Sequence, residues 1–299
     1  MKGTGTNNTI EPHSTNSPEV ASGHRLVQMR ERDRSAIHQA CGPVDDKAEV
    51  PPCDRLQGTL YVVGVGPGDP ELMTLKAVRI LEHCGVWLAP AAKKDGESTA
   101  LGIAEGVVDR ADKEIITHHF PMKKVRMGQS PDPEVKNAWD GAAARIVGHL
   151  RAGRDVAFPT LGDPAIYSTG FYVCETLFAL APDLPVVIVP GVSSIGASAA
   201  AAGQPLCLGD DRLVVIPATF ENGHLREILE QFDSVVLMKV HRVMDRLVPL
   251  LAEMNLLDKA VLVERSSQGG QRIRRDLTTA LAQHNDEPHY FSTIIVRKS

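Results

Sequence analysis

Three short turns hold the residues best suited to gripping a ligand. They are Gly64-Val-Gly-Pro-Gly-Asp69, Leu161-Gly-Asp-Pro164 and Pro190-Gly-Val-Ser-Ser194. Glycine at 64, 66 and 68 lets the first turn bend sharply and bring bare backbone against a bound molecule. Asp163, Ser193 and Ser194 add a carboxylate and two hydroxyls, which either contact a ligand or cap the helices that follow. Five cysteines, at 41, 53, 84, 174 and 207, are far apart and form no C-x-x-C pair. They read as isolated thiols in a reducing compartment, so neither a zinc site nor a disulfide framework is expected.

Each turn follows a strand and precedes a helix. Leu60 to Val63 is a β-branched, aromatic run that reads as a buried strand. Asp69 is the expected N-cap, with Pro70 at the first helical position, for a helix carrying Leu72, Leu75, Val78 and Leu81 and stopping at Gly85. The glycine spacing is not that of a dinucleotide fingerprint, which needs a third glycine where Asp69 stands. The second strand, Val86 to Ala89, stops at Pro90 and ends in no acid for a ribose. A nicotinamide oxidoreductase is disfavoured on both counts.

Ser98 is expected to cap a helix through Val107. Glu114 to Phe120 reads as a third strand, and Pro133 opens a long helix stopped by Gly153. The strand from Asp155 to Thr160 meets a second Asp-Pro corner, with Asp163 as its expected cap. The strand Val186–Val189 leads to an alanine-rich helix from about Ser194 to Ala202, whose small side chains permit close packing. In a parallel sheet all three corners lie at the carboxyl ends of the strands, where such folds bind ligands.

The rhythm changes near Leu208. Strands at 213–217, 235–240, 260–264 and 290–296 and helices at 225–232 and 242–257 predict a second α/β unit, its last strand antiparallel. The expected organisation is therefore a polar, disordered lead over 1–57, with a short helix at 25–40, then an α/β domain over 58–207 and another over 208–299. Hydrophobic residues are 43% and charged residues 23%, a globular balance with no apolar run near the ~20 residues of a membrane span. The N-terminus has no secretory signal pattern. The formal net charge of −5 argues against nucleic-acid binding by bulk charge.

Residues 64–77, together with 160–169, Pro190-Gly-Val-Ser-Ser, Val236-Leu-Met-Lys-Val, Val263-Glu-Arg-Ser and Tyr290-Phe-Ser-Thr-Ile-Ile-Val-Arg, resemble in order and spacing the tetrapyrrole methylases. The wording is most similar to the branch that methylates C20 of precorrin-2 or cobalt-factor II in cobalamin biosynthesis. The resemblance implies a two-domain α/β fold with a parallel first sheet and a mixed second one. It also implies S-adenosylmethionine as methyl donor, a tetrapyrrole substrate and a cytoplasmic homodimer with its site in a trough between domains. It puts Pro67, Gly162, Asp163, Ile166, Ser193, Ser194, Met238 and Ser266 at the donor. A polycarboxylate ring calls for cations, with Lys123, Lys124, Arg126, Lys239, His241 and Arg242 as candidates. His118 and His119 are either a proton shuttle or cobalt contact, or ordinary strand-end residues. The uroporphyrinogen-methylating branch has Tyr-Asp-Arg where this chain has Pro90, so no catalytic base is transferred. A different corrin-ring regiochemistry and a non-catalytic donor-binding protein remain alternatives.

Overall fold

The computed structural model describes residues 57–125, 129–219, 224–278 and 288–299. The lead up to residue 56, its expected helix and Arg126 lie outside the described residues.

The first sheet contains β1 (Leu60–Gly64), β2 (Val86–Ala91), β3 (Glu114–His119), β4 (Val156–Thr160) and β5 (Val186–Val189), in the order β3-β2-β4-β1-β5. All its pairings are parallel. Its central strands are buried on both faces, which is why they read as continuous apolar runs. Alternate residues serve opposite cores. Leu60 and Val62 pack with Phe158 against α3 (Pro133–Arg151) and α4 (Thr169–Leu180). Tyr61 and Val63 pack with Trp87 against α1 (Leu75–His83) and α2 (Thr99–Glu105).

The second sheet contains β6 (Leu213–Pro217), β7 (Ser234–Met238), β8 (Ala260–Glu264), β9 (Arg272–Arg274) and β10 (Ser292–Arg297), in the order β6-β7-β10-β8-β9. β6 and β7 are parallel, and β10 runs antiparallel between β7 and β8 as expected. One face packs on α6 (Leu225–Gln231) and α7 (Met244–Glu253). The other face, through Val236, Val261, Val263 and Ile295, packs on α5 (Ser194–Ala202), where Ile195, Ala199 and Ala202 meet it. The small residues of α5 thus let the helix that follows the first sheet lie close against the second.

Several boundaries differ from the sequence reading. Asp69 caps only a single 3-10 turn, Pro70–Leu72, and Thr74 caps α1 instead, its hydroxyl accepting from Ala77 N–H at 3.1 Å. β2 runs through Pro90 to Ala91. Its pairing with β4 ends at Trp87, so that side of the strand has no ladder for a proline to interrupt. β7 stops two residues short of Val240, because Lys239 turns left-handed. β9, a polar Arg-Ile-Arg run, was not anticipated.

Candidate active site

The carboxyl ends of β4, β1 and β5 are adjacent, and their three turns interlock through backbone. Gly66 and Gly162 exchange hydrogen bonds, Gly162 N–H to Gly66 O at 2.7 Å and the reverse at 3.3 Å. Gly64 and Gly191 touch so closely that a Cβ on either would fall within 3 Å of the other's backbone. Gly162 sits at φ +73, a conformation open to glycine and strained for other residues.

Asp163 ties the second turn to the third. Its Oδ1 accepts from Ala165 N–H at 2.8 Å, and its Oδ2 accepts from Gly191 N–H at 2.9 Å. The carboxylate therefore caps a local turn and clamps a loop 28 residues away. It caps no helix: α4 begins at Thr169 with Ser168 as its cap, against the sequence expectation. Removing both acceptors in Asp163→Ala should cost about 1–3 kcal/mol, since the half-buried Gly191 amide is left unpaired. Urea denaturation measures this, and an unchanged midpoint would contradict the clamp.

Ser193 is the N-cap of α5, accepting from Gly196 N–H at 3.3 Å, and Ser194 is the first helical residue. Ile166 and Met238 join one apolar cluster with α5 and the second sheet. Pro67 is buried, and its carbonyl accepts from Gln268 Nε2 at 3.0 Å. The two halves meet at further points along the same seam. Tyr167 OH donates to Val215 O at 3.1 Å, and Lys124 Nζ to Thr219 O at 3.3 Å.

The seam also gathers backbone strain. Among the described residues five non-glycines have positive φ, and four of them, Tyr167, Lys239, Arg265 and Ser267, lie along it. Such conformations cost about 1–3 kcal/mol each and concentrate at functional sites. Ser266, between two of them, is buried, and its Oγ has no hydrogen-bond partner among the described residues.

The loop at 265–271 is organised by Glu264, which sequence reasoning passed over. Its carboxylate is fully buried and takes Arg272 Nη2 at 2.8 Å, Arg274 Nε at 3.0 Å and His289 N–H at 2.8 Å. An acid ending an apolar strand, followed by Arg-x-Arg, was the available signal.

The candidate cations do not converge. Lys123 pairs with Asp132 at 3.0 Å and Glu134 at 2.8 Å, and these carboxylates hold its ammonium above the usual lysine range. Asp132 is the N-cap of α3 and Glu134 lies in its first turn. His241 stacks edge-on against Tyr290, ring centroids 5.1 Å apart, and Arg242 beside it is exposed. Lys239 lies on the seam over the Tyr167 ring, 5.8 Å from its centroid. His118 is taken up by packing: its Nε2 donates to Ala138 O at 2.9 Å, and burial lowers its pKa. No group of three or more metal-ligating side chains occurs among the described residues. No helix among them is long and apolar enough to cross a membrane.

Comparison with known proteins places this geometry. The family model described as Tetrapyrrole (Corrin/Porphyrin) Methylases matches residues 59–282. The cobalt-precorrin-2 C(20)-methyltransferase of Salmonella typhimurium is 36% identical over 245 residues, covering 81% of this chain and 98% of that protein. The precorrin-2 C(20)-methyltransferase of a Sinorhizobium species is 33% identical over 242 residues, covering 80% and 95%. The crystal structure of uroporphyrin-III C-methyltransferase from Thermus thermophilus, complexed with S-adenyl homocysteine, superposes with a TM-score of 0.55. That match is at 24% identity over 81% of this chain and 98% of that one. The matched segment contains the whole first sheet, β6 to β9 of the second and the three interlocked turns: the chain belongs to the tetrapyrrole methylases.

Proposed function

We infer that the protein is an S-adenosylmethionine-dependent C-methyltransferase acting at C20 of precorrin-2 or its cobalt form, in cobalamin biosynthesis. The observation that carries this reading is the pair of full-length relatives named for that reaction, joined to three glycine turns meeting at one seam. The proposed domains, 58–207 and 208–299, divide between α5 and β6. The proposed assembly is a cytoplasmic homodimer, as the resemblance implies.

The seam suits the donor. Ser266 offers a buried hydroxyl without a hydrogen-bond partner among the described residues, and a Cβ on Gly162 would meet no atom nearer than Ser194 N at 3.7 Å. Pro67, Gly162, Asp163, Ile166, Ser193, Ser194, Met238 and Ser266 are the residues proposed to hold it. Ile166 and Met238 contribute apolar walls, and Asp163 contributes by fixing the turns.

S-adenosylmethionine supplies a methyl group already made electrophilic by its sulfonium. What remains for the protein is alignment and exclusion of water. Interlocked backbone does both, since it has few rotamers to order and no side chain between ligand and peptide. The ring carbon forms the new C–C bond as the C–S bond breaks, and the proton then leaves that carbon. No described side chain on the seam is assigned as its acceptor.

The test is incubation with methyl-labelled donor and precorrin-2, with and without cobalt, followed by mass spectrometry and NMR of the product. One added methyl on C20 is expected. A label on another carbon, or none transferred, would overturn the reading.

A further inference from the structure

Lys239 is a seam cation set over an aromatic ring. Lys123, Arg272 and Arg274 each face a carboxylate within 3.0 Å. Lys239 faces none among the described residues, and its ammonium has only the Tyr167 ring beneath it, at 5.8 Å. Its side chain is half-buried, and burial alone lowers its pKa. A cation partly withdrawn from water with no counter-charge is unfavourable for stability in isolation.

The backbone beneath it is also unfavourable by itself. Lys239 is left-handed, at φ 60 and ψ 41, with its N–H donated to Ser292 O at 3.1 Å. Glycine would occupy this conformation without strain. Tyr167, the other half of the pair, is left-handed too, at φ 51, and its hydroxyl is donated across the seam to Val215 O. Half of the Tyr167 surface is exposed. Two strained residues, one from each side, thus present a fixed ammonium and an accessible aromatic face. Tyr167 lies in the same turn as Gly162, five residues on, so the pair borders the proposed donor site.

Resting on the function proposed above, we propose that Lys239, seated on Tyr167, receives a carboxylate of the tetrapyrrole ring and so sets the ring's position beside the donor turn. The tyrosine face gives the apolar edge of the ring a surface, and the ammonium gains the counter-ion that no described residue provides. An anionic ring substituent fits this arrangement better than a neutral one, because the gain is largest for a group that neutralises the charge.

Lys239→Met keeps the stem and removes the charge. Wild-type and variant are titrated with cobalt-factor II, followed by absorbance, and separately with S-adenosylmethionine by calorimetry. Losing one charge-assisted contact should weaken cobalt-factor II binding by roughly 10- to 100-fold. Affinity for S-adenosylmethionine and the melting temperature should hold, and Lys239→Arg should recover part of the loss. Equal binding of cobalt-factor II by wild-type and Lys239→Met overturns this role alone. A parallel fall in melting temperature and in both affinities also overturns it, by making Lys239 a tie between the two halves. A wild-type protein that ignores cobalt-factor II removes the functional reading itself.

Discussion

Gly191→Ala is expected to abolish useful donor binding, lowering affinity for S-adenosylmethionine by roughly 100-fold in calorimetric titration. The added Cβ would lie 2.3 Å from Gly162 O and 2.9 Å from both Gly64 C and Gly64 Cα. Backbone on both sides cannot rotate away as a side chain would, so the turns after β1 and β4 must separate. The Gly191 amide would be dragged from Asp163 in the process. Gly162→Ala provides the comparison. There the Cβ has room, the nearest atom being 3.7 Å away, and the cost is the left-handed backbone alone, about 1–2 kcal/mol. The expected order of affinity is wild-type, then Gly162→Ala, then Gly191→Ala. Wild-type affinity in the Gly191 variant would refute the interlocked site.

The largest effect on stability is expected from Glu264→Ala, about 3–5 kcal/mol, because a fully buried carboxylate is removed from two guanidinium groups and a backbone amide. A buried ion pair is not strongly stabilising against an apolar replacement, but removing Glu264 leaves the largely buried Arg274 guanidinium without its counter-charge. Glu264→Gln keeps the shape and one acceptor and should lose less. Denaturant unfolding of both variants tests the ordering. An alanine variant within about 0.5 kcal/mol of wild-type would mean that the Arg272 and Arg274 contacts carry no net weight. The damage should reach the seam as well, since Glu264 is followed directly by Arg265 and Ser266.

Most of the first sheet was legible because its signals are local. Leu60 to Val63 and Val186 to Val189 are β-branched runs with no other plausible conformation, and Ser98 and Ser193 cap the helices that their sequence pattern marks. The Asp-Pro corners misled for the same reason. Asp followed by Pro is a helix-start signal, but Asp69 caps one 3-10 turn and Asp163 turns its second oxygen to Gly191. β9 was invisible because two of its three residues are arginines, drawn into a strand by a buried carboxylate on β8.

The amino-acid sequence by itself determined the alternation of strands and helices, the three glycine turns and the family to which they belong. These follow from backbone preference and apolar periodicity, which act over a few residues. Only the tertiary structure decided that Lys123 pairs with Asp132 and Glu134 and that His118 is held by α3. It also decided that Lys239 lies on Tyr167, 72 positions apart in the chain, with no carboxylate among the described residues to meet it. A charged side chain reaches whichever partner the packing of distant elements brings within about 4 Å, and no local rule fixes which one that will be.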